Sequence, residues 1–326
     1  MREWRYLIAE NRGTLAAMAL FVLMFGIYVG NHPVGLSANV VQTAANKGVL
    51  LAFVVCAQAM VVTTAGIDLS VGMVLVLTNC VASYIVVGTP LQTGLGIAGT
   101  LAVGMACGAL NGAIVIYGRL QPIITTIATG AVFFGIALML RPFPGGEVNE
   151  ALADAMTGRI WGAVPTSLLL LGVVILVVWV PYRRSAVGLG AFAAGSSEPA
   201  AFMSGVNVRK SKFVAYTLAG LFGGVGGLFL TFYTYTGEAA YASGDGYTLW
   251  SIAAVVLGGV SLFGGRGSLI GAVFGAFTAR TIGDMLFVFD VDPLWQPLLQ
   301  GLFLMTAISI GAVALLRVQN RLEWFE

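Results

Sequence analysis

Charge is what this sequence has least of. Only 9% of its 326 residues are Asp, Glu, Lys or Arg, against roughly a quarter in an ordinary soluble domain, and 58% are hydrophobic. So little charge cannot cover one core with a solvated surface. That excludes a soluble globular domain and leaves an integral membrane protein. Histidine is nearly missing: His32 stands alone, just before Pro33. One histidine gives neither a histidine-based metal site nor a catalytic dyad. Lysine occurs only as Lys47, Lys210 and Lys212, and none follows a glycine in a G-x-x-x-x-G-K-[ST] pattern. If ATP powers this protein, another chain must bind it. Cys56, Cys80 and Cys107 all lie in apolar stretches and read as buried small hydrophobes.

What is abundant is glycine, 44 residues of it. Helices in lipid associate by close packing, and small residues let backbones approach. Runs such as Gly220–Gly227 therefore read as buried faces in a bundle. Crossing the hydrocarbon takes about 20 helical residues. Apolar runs of that order fall near 14–30, 44–63, 72–88, 94–117, 122–140, 167–181, 213–233, 249–263, 268–288 and 295–316, about ten in all. The short ones ending near 181 and 263 imply tilted, broken or re-entrant helices. The expected fold is an all-α integral membrane protein, with 1–326 forming one transmembrane domain. Arg2, Arg5 and Arg12 precede the first run without a clear cleavage site after it, so that run reads as a retained span.

Orientation follows from the basic residues. With the N-terminus inside and spans alternating, Arg2, Arg5, Arg12, Arg119, Arg266, Arg317, Arg321 and the Arg183–Lys212 window all fall inside. Only Arg141 and Arg159 fall clearly outside, while Lys47 and Arg280 lie near or within spans. Both termini are thus expected in the cytoplasm. The acidic residues Glu147, Glu150, Asp154, Glu238, Asp245, Asp290 and Asp292 fall outside. The longest outer segment, 141–166, is punctuated by Pro142, Pro144, Gly145 and Gly146, and Glu147 to Met156 is expected to form a short surface helix. Inside, 183–212 is far longer than an ordinary connection. Ser197 there reads as a helix cap, with Glu198 and Pro199 in the first turn. Phe202, Met203 and Val206 would share an apolar face, either on the inner membrane surface or in a cleft of a cytoplasmic partner.

Few residues could carry chemistry. Asp68, followed by Ser70, sits at a helix start, where it reads as a cap or as a substrate or proton group. Asn111 suits a bond across helices or a pathway wall. Thr125, Thr126 and Thr129 most simply bond their own preceding turns. Phe133 and Phe134 read as packing residues or an aromatic platform. Trp161, Trp179, Trp250 and Trp295 lie near span ends, where interfacial anchoring is the default. Lys47, Arg280 and Asp284 are ionisable but scattered along the sequence. A faint echo links Gly66–Gly72 with Gly259–Gly267, each a bend rich in glycine that opens a helix.

The stretch Gly66-Ile67-Asp68-Leu69-Ser70-Val71-Gly72 resembles the GIDLSVG motif of the membrane permeases of ribose-type ABC sugar importers. Leu110-Asn111-Gly112, Gln121-Pro122-Ile123-Ile124-Thr125-Thr126 and the long run from Ile252 to Ser268 follow in the family's order. The resemblance spans about residues 45 to 310. It implies a permease of about ten helices with the type II-like ABC importer fold, in the bacterial inner membrane. Its partners would be a second permease (the same chain or a sister), a cytoplasmic ABC ATPase, a periplasmic sugar-binding protein and membrane lipid, with no nucleic acid. ATP and Mg would bind the ATPase, and this chain would hold no cofactor and be no enzyme.

The resemblance also implies that the segment from Ala194 to Val206 couples to the ATPase, through Gly195, Ser196, Glu198, Ala200, Ala201, Phe202 and Gly205. The family usually has Gly-Gly-Asn where this chain reads Gly195-Ser196-Ser197, and Arg141-Pro-Phe-Pro-Gly-Gly146 is outside its common motif. These departures fit a particular ATPase or an asymmetric permease pair. Asp68, Ser70, Asn111, Thr125, Thr126 and Phe133 are the candidates for the translocation pathway or its polar framework. The expected function is ATP-driven import of a pentose, hexose or related polyol by alternating access. The alternatives are an ion-coupled sugar carrier and an ABC permease for another small solute such as a branched-chain amino acid.

Overall fold

The structure is a computed structural model, and it describes residues 12–240 and 244–295 together with scattered positions from 298 to 309. The tenth expected run, 295–316, and the terminal arginines lie largely or wholly outside the described residues. The first nine runs each correspond to a helix. In chain order these are α1 (Arg12–Asn31), α2 (Ala38–Val62), α3 (Val71–Ile85), α4 (Pro90–Ile116) and α5 (Pro122–Leu140). A short α6 (Glu150–Thr157) follows, then α7 (Thr166–Arg184), α8 (Ala186–Ser196), α9 (Glu198–Met203), α10 (Val208–Thr234), α11 (Gly244–Leu257) and α12 (Leu269–Val288). Seven of these, α1, α2, α4, α5, α7, α10 and α12, are long and apolar enough to cross a membrane.

Local chemistry sets the boundaries. Thr89 opens α4 with a reciprocal capping box to Gln92, and Pro90 occupies the first turn, where no N–H is needed. Pro122 does the same for α5, which stops at Arg141 ahead of Pro142. The expected short span at 167–181 is instead one continuous helix with a π-helical turn at Ile175–Trp179. Pro181 follows that turn and lacks an N–H, and Val180 N–H reaches back to the Ile175 carbonyl. The run at 249–263 ends early, at Leu257, and the rest is a loop of tight turns at Gly259, Gly264, Gly265 and Gly267, all with positive φ. The 141–166 segment departs from all-α only slightly. Arg159–Ile160 pairs antiparallel with Val164–Pro165, and Trp161 at the tip is 91% exposed.

Two helices form the centre. α2 is buried along almost its whole length, and α10 packs on α2, α3 and α4. The α4–α10 contact depends on having no side chain: a Cβ on Gly108 would lie 2.2 Å from the Tyr216 carbonyl, and one on Gly220 would lie 2.1 Å from the Gly104 carbonyl. By contrast α1, α4, α5 and α7 turn many of their Leu, Ile, Val and Met side chains outward. Such faces suit lipid or a second membrane subunit rather than water. Cys56, Cys80 and Cys107 are buried and unpaired by disulfides, as apolar packing requires.

Two basic residues, Arg183 and Arg266, meet at one end of the bundle. They face the same recess as Gly13 and Thr14, at the start of α1. The opposite end is tied together by side-chain and backbone bonds around Asn79 and Arg141. Asn79 donates to Thr231 Oγ1 and to the Thr236 carbonyl, and accepts from Glu238 N–H. Arg141 stacks 3.6 Å over the Tyr84 ring, its Nε donates to Ser83 Oγ, and its carbonyl accepts from Ala239.

Candidate functional site

Three places bring functional groups together. The first is the basic end. The 183–212 window is helical rather than an open loop: α7 includes Arg183 and Arg184, and α8, α9 and the start of α10 occupy most of the rest. Ser197 caps α9 by accepting from Ala200 N–H, with Glu198 and Pro199 in its first turn. Gly205, at φ +80°, turns the chain into α10, which Asn207 caps. Ala194, Ala201 and Val208 pack as a small core, and Val206 joins them. Val206 therefore parts from Phe202 and Met203, which are 73% and 80% exposed. Ala200 sits beside them on the surface, and Glu198 pairs with Lys212.

Gly195 and Ser196 show what this segment leans on. A Cβ on Gly195 would lie 2.0 Å from the Thr63 carbonyl and 2.6 Å from Gly265 N. The same carbonyl accepts from Gly265 N–H at 3.1 Å, and Ser196 presses on Gly265. The α2–α3 loop and the α11–α12 loop, the two glycine-rich bends that echo each other in sequence, thus meet at the end of α8.

The second place is the α2–α3 loop itself. Asp68 does not cap the α3 amides beyond Ser70. Its Oδ1 accepts from Ser70 N–H at 2.8 Å and from Ser70 Oγ at 2.6 Å, a turn closed two residues on. Asn111 Nδ2 on α4 donates to Ser70 Oγ at 2.7 Å, and Leu69 N–H donates to Thr126 Oγ1 on α5 at 2.9 Å. Asp68, Ser70, Asn111 and Thr126 therefore form one connected knot that joins three elements, with Asp68 only 2% exposed. Thr125 and Phe133 are not part of its bonding. Thr125 is buried with no hydrogen-bond partner for its hydroxyl among the described residues, and Phe133 lies in the main apolar core. Thr129 bonds its own preceding turn.

The third place went unrecognised in the sequence. Lys47 on α2 converges with Arg280 and Asp284, which lie one turn apart on α12. Lys47 Nζ lies 2.9 Å from Asp284 Oδ1, and Arg280 Nη2 lies 3.9 Å from the same oxygen. Lys47 and Arg280, but not Asp284, line a cavity of about 130 Å³ whose wall also includes Leu50, Tyr233, Tyr247 and Trp250. Trp250 is thus a cavity residue, and Trp179 packs in the core against Tyr182 and Phe192. The signal that marks this place in the sequence is an ionisable residue inside an apolar span, which is costly and so carries a presumption of use.

The family model of the branched-chain amino acid transport system permease component matches residues 40–308. The chain belongs to this permease family. It is similar to the ribose import permease protein RbsC of Escherichia coli (strain K12), with 30% identity over 310 residues covering 93% of this chain and 94% of that one. It is also 30% identical to the fructose import permease protein FrcC of Rhizobium meliloti, over 91% of this chain and 83% of that one. The autoinducer 2 import system permease protein LsrC of Enterobacter sp. (strain 638) is 30% identical over 97% and 92%. No solved structure matches the chain. All three places lie within the part that the permease model matches.

Proposed function

We propose that this chain is the transmembrane subunit of an ATP-driven importer that carries a monosaccharide across the bacterial inner membrane. The observation that carries the cargo class is the end-to-end similarity to ribose and fructose import permeases. In this reading about ten helices span the membrane, both termini and the basic end face the cytoplasm, and the acidic end faces the periplasm. A second permease, identical or a sister, completes the pathway. A periplasmic binding protein delivers the sugar, and a separate ABC ATPase binds ATP and Mg.

The proposed coupling element is α9. Its exposed Phe202 and Met203 are anchors of the kind that seat in an apolar cleft of a partner. Behind them Ala201, Ala194 and Gly195 are packed without slack, and close-packed interiors transmit displacement instead of absorbing it. Movement of α9 by the ATPase then pushes α8 against Thr63 and Gly265, and so acts on the α2–α3 and α11–α12 loops together. The knot at Asp68 makes the first loop move as a unit with α4 and α5. Alternating access follows as a rigid shift of packed helices, powered from outside the chain.

The test is uptake of labelled D-ribose and D-fructose into proteoliposomes. The reading expects uptake only when permease, ATPase, binding protein and ATP are all present. Uptake by this chain alone, driven by a proton or sodium gradient, overturns it.

A further inference from the structure

The ends of three long apolar helices meet around one recess. α1 begins there at Gly13 and Thr14, α7 ends there at Arg183, and Gly267 and Ser268 lead there into α12. Each of the three is long and apolar enough to cross the hydrocarbon, so the level at which all of them stop is the membrane surface. Lipid headgroups lie at that depth. The recess has a volume of about 720 Å³, within the range of small-molecule sites. Its frame is tight, since a Cβ on Gly13 would lie 2.8 Å from the Gly259 Cα and the start of α1 is thereby held against the α11–α12 loop.

Among the described residues the wall carries two cations, Arg183 and Arg266, and no carboxylate. Both arginines are exposed, and neither takes part in an ion pair among the described residues. Arg183 is oriented by packing instead: its Cζ lies 4.3 Å from the centre of the Phe192 ring, which sits beside Trp179. A guanidinium presents its donors in a planar fork that fits phosphate. Ser268 makes no side-chain bond to the first turn of α12, so the positive end of that helix adds to the two charges. Basic residues at span ends orient a membrane protein without selecting any one lipid. These two differ in reaching a single recess from separate elements, α7 and the α11–α12 loop. An apolar track leads away from it. Leu15 and Met18 on α1, and Ile270 on α12, follow closely on the lining residues Thr14 and Ser268, and all three are exposed. Such side chains suit the acyl chains that a lipid phosphate carries and a free phosphate lacks.

We propose that this recess binds the headgroup of an anionic phospholipid, with Arg183 and Arg266 on its phosphate and its acyl chains along α1 and α12. A zwitterionic headgroup would bring its own cation against the same two arginines. The inference goes beyond the importer reading and needs only that the chain lies in a membrane. Gly265 lines the recess, and its N–H donates to the Thr63 carbonyl. The bound lipid thus abuts the joint where the α2–α3 and α11–α12 loops meet.

The experiment is native mass spectrometry of the delipidated full chain in detergent, titrated with phosphatidylglycerol, phosphatidylcholine and inorganic phosphate. Phosphatidylglycerol is expected to bind at least about tenfold more tightly than either of the others, since two basic contacts at a membrane surface are worth that much. Arg183→Gln with Arg266→Gln is expected to remove this preference. Arg209→Gln with Lys210→Gln removes the same charge outside the recess and is expected to leave the preference intact. Arg266→Gln alone serves if the first pair does not fold, and is expected to weaken phosphatidylglycerol about fivefold. Equal binding of the two lipids, inorganic phosphate binding as tightly as phosphatidylglycerol, an unchanged preference in a folded recess variant, or an equal loss in the Arg209–Lys210 pair each overturns the assignment. Sugar uptake is not read in this experiment, so its failure would leave the importer reading standing.

Discussion

The Asp68 knot and the Arg280 cavity are both polar islands in an apolar bundle, and they are built in opposite ways. Asp68 is 2% exposed and uses one oxygen to hold both donors of Ser70, while Asn111 and Thr126 hold the loop from two other helices. Its polarity is directed inward, at the chain's own backbone. Arg280 keeps 38% of its side chain exposed and leaves a nitrogen unpaired beside a cavity. Its ion-pair contact among the described residues is a 3.9 Å approach to Asp284, one turn along α12. Asp68 lies in a loop between two helices and Arg280 inside one; what separates them among the described residues is how fully their hydrogen-bond partners are present.

That contrast can be broken at either cluster. Asp68→Ala is expected to be the most damaging change, because Ser70 N–H and Oγ both lose their acceptor in a buried site. The expected loss is about 2–4 kcal/mol of stability, read as a lower unfolding midpoint in detergent. Asp68→Asn keeps an acceptor and should recover most of it. An Asp68→Asn protein of normal stability that has lost all transport would make the knot part of the pathway and erase the contrast.

Lys47→Met should cost less, about 1–2 kcal/mol, since it strands Asp284 in a site that is only partly shielded from solvent. Pairing it with Asp284→Leu should restore much of that loss, and a double-mutant cycle measures the restoration. A cycle with no coupling would mean the pair is not formed in the membrane. The smallest effect is expected at the exposed Glu198–Lys212 pair, where Glu198→Gln should shift stability by less than about 1 kcal/mol. A larger loss in a thermal melt would show that this pair, rather than the Ala194–Ala201–Val208 packing, holds α9 in place.

Much of the bundle was legible from composition and run length alone, because lipid demands long apolar helices and says so in sequence. The boundaries at Pro122 and Ser197 were legible for the same kind of reason, whereas the start of α4 at Pro90, four residues before the expected run, was not read. The π turn before Pro181 and the early end of α11 were not, since both depend on backbone hydrogen bonds and turns that an apolar run does not encode. At the sites, the Ser70–Asn111 link and the close approach of Gly195 to Thr63 needed three dimensions. Arg280 and Asp284 are a local pair four residues apart, but Lys47 lies 237 residues from Asp284, so no local pattern brings it in. Phe202 and Val206 looked like one face because they are four residues apart, but Gly205 ends the helix between them and sends Val206 inward.

The central claim is that a separate ATPase works this chain through α9. Its most direct test is the double variant Phe202→Ala with Met203→Ala, assayed for ATP-driven sugar uptake in proteoliposomes beside an unfolding curve. Both side chains are largely exposed, so stability should stay within about 0.5 kcal/mol. Losing two interface anchors costs about 2 kcal/mol or more of docking, and uptake should fall by at least about tenfold. Undiminished ATP-driven uptake by the folded double variant would contradict the account.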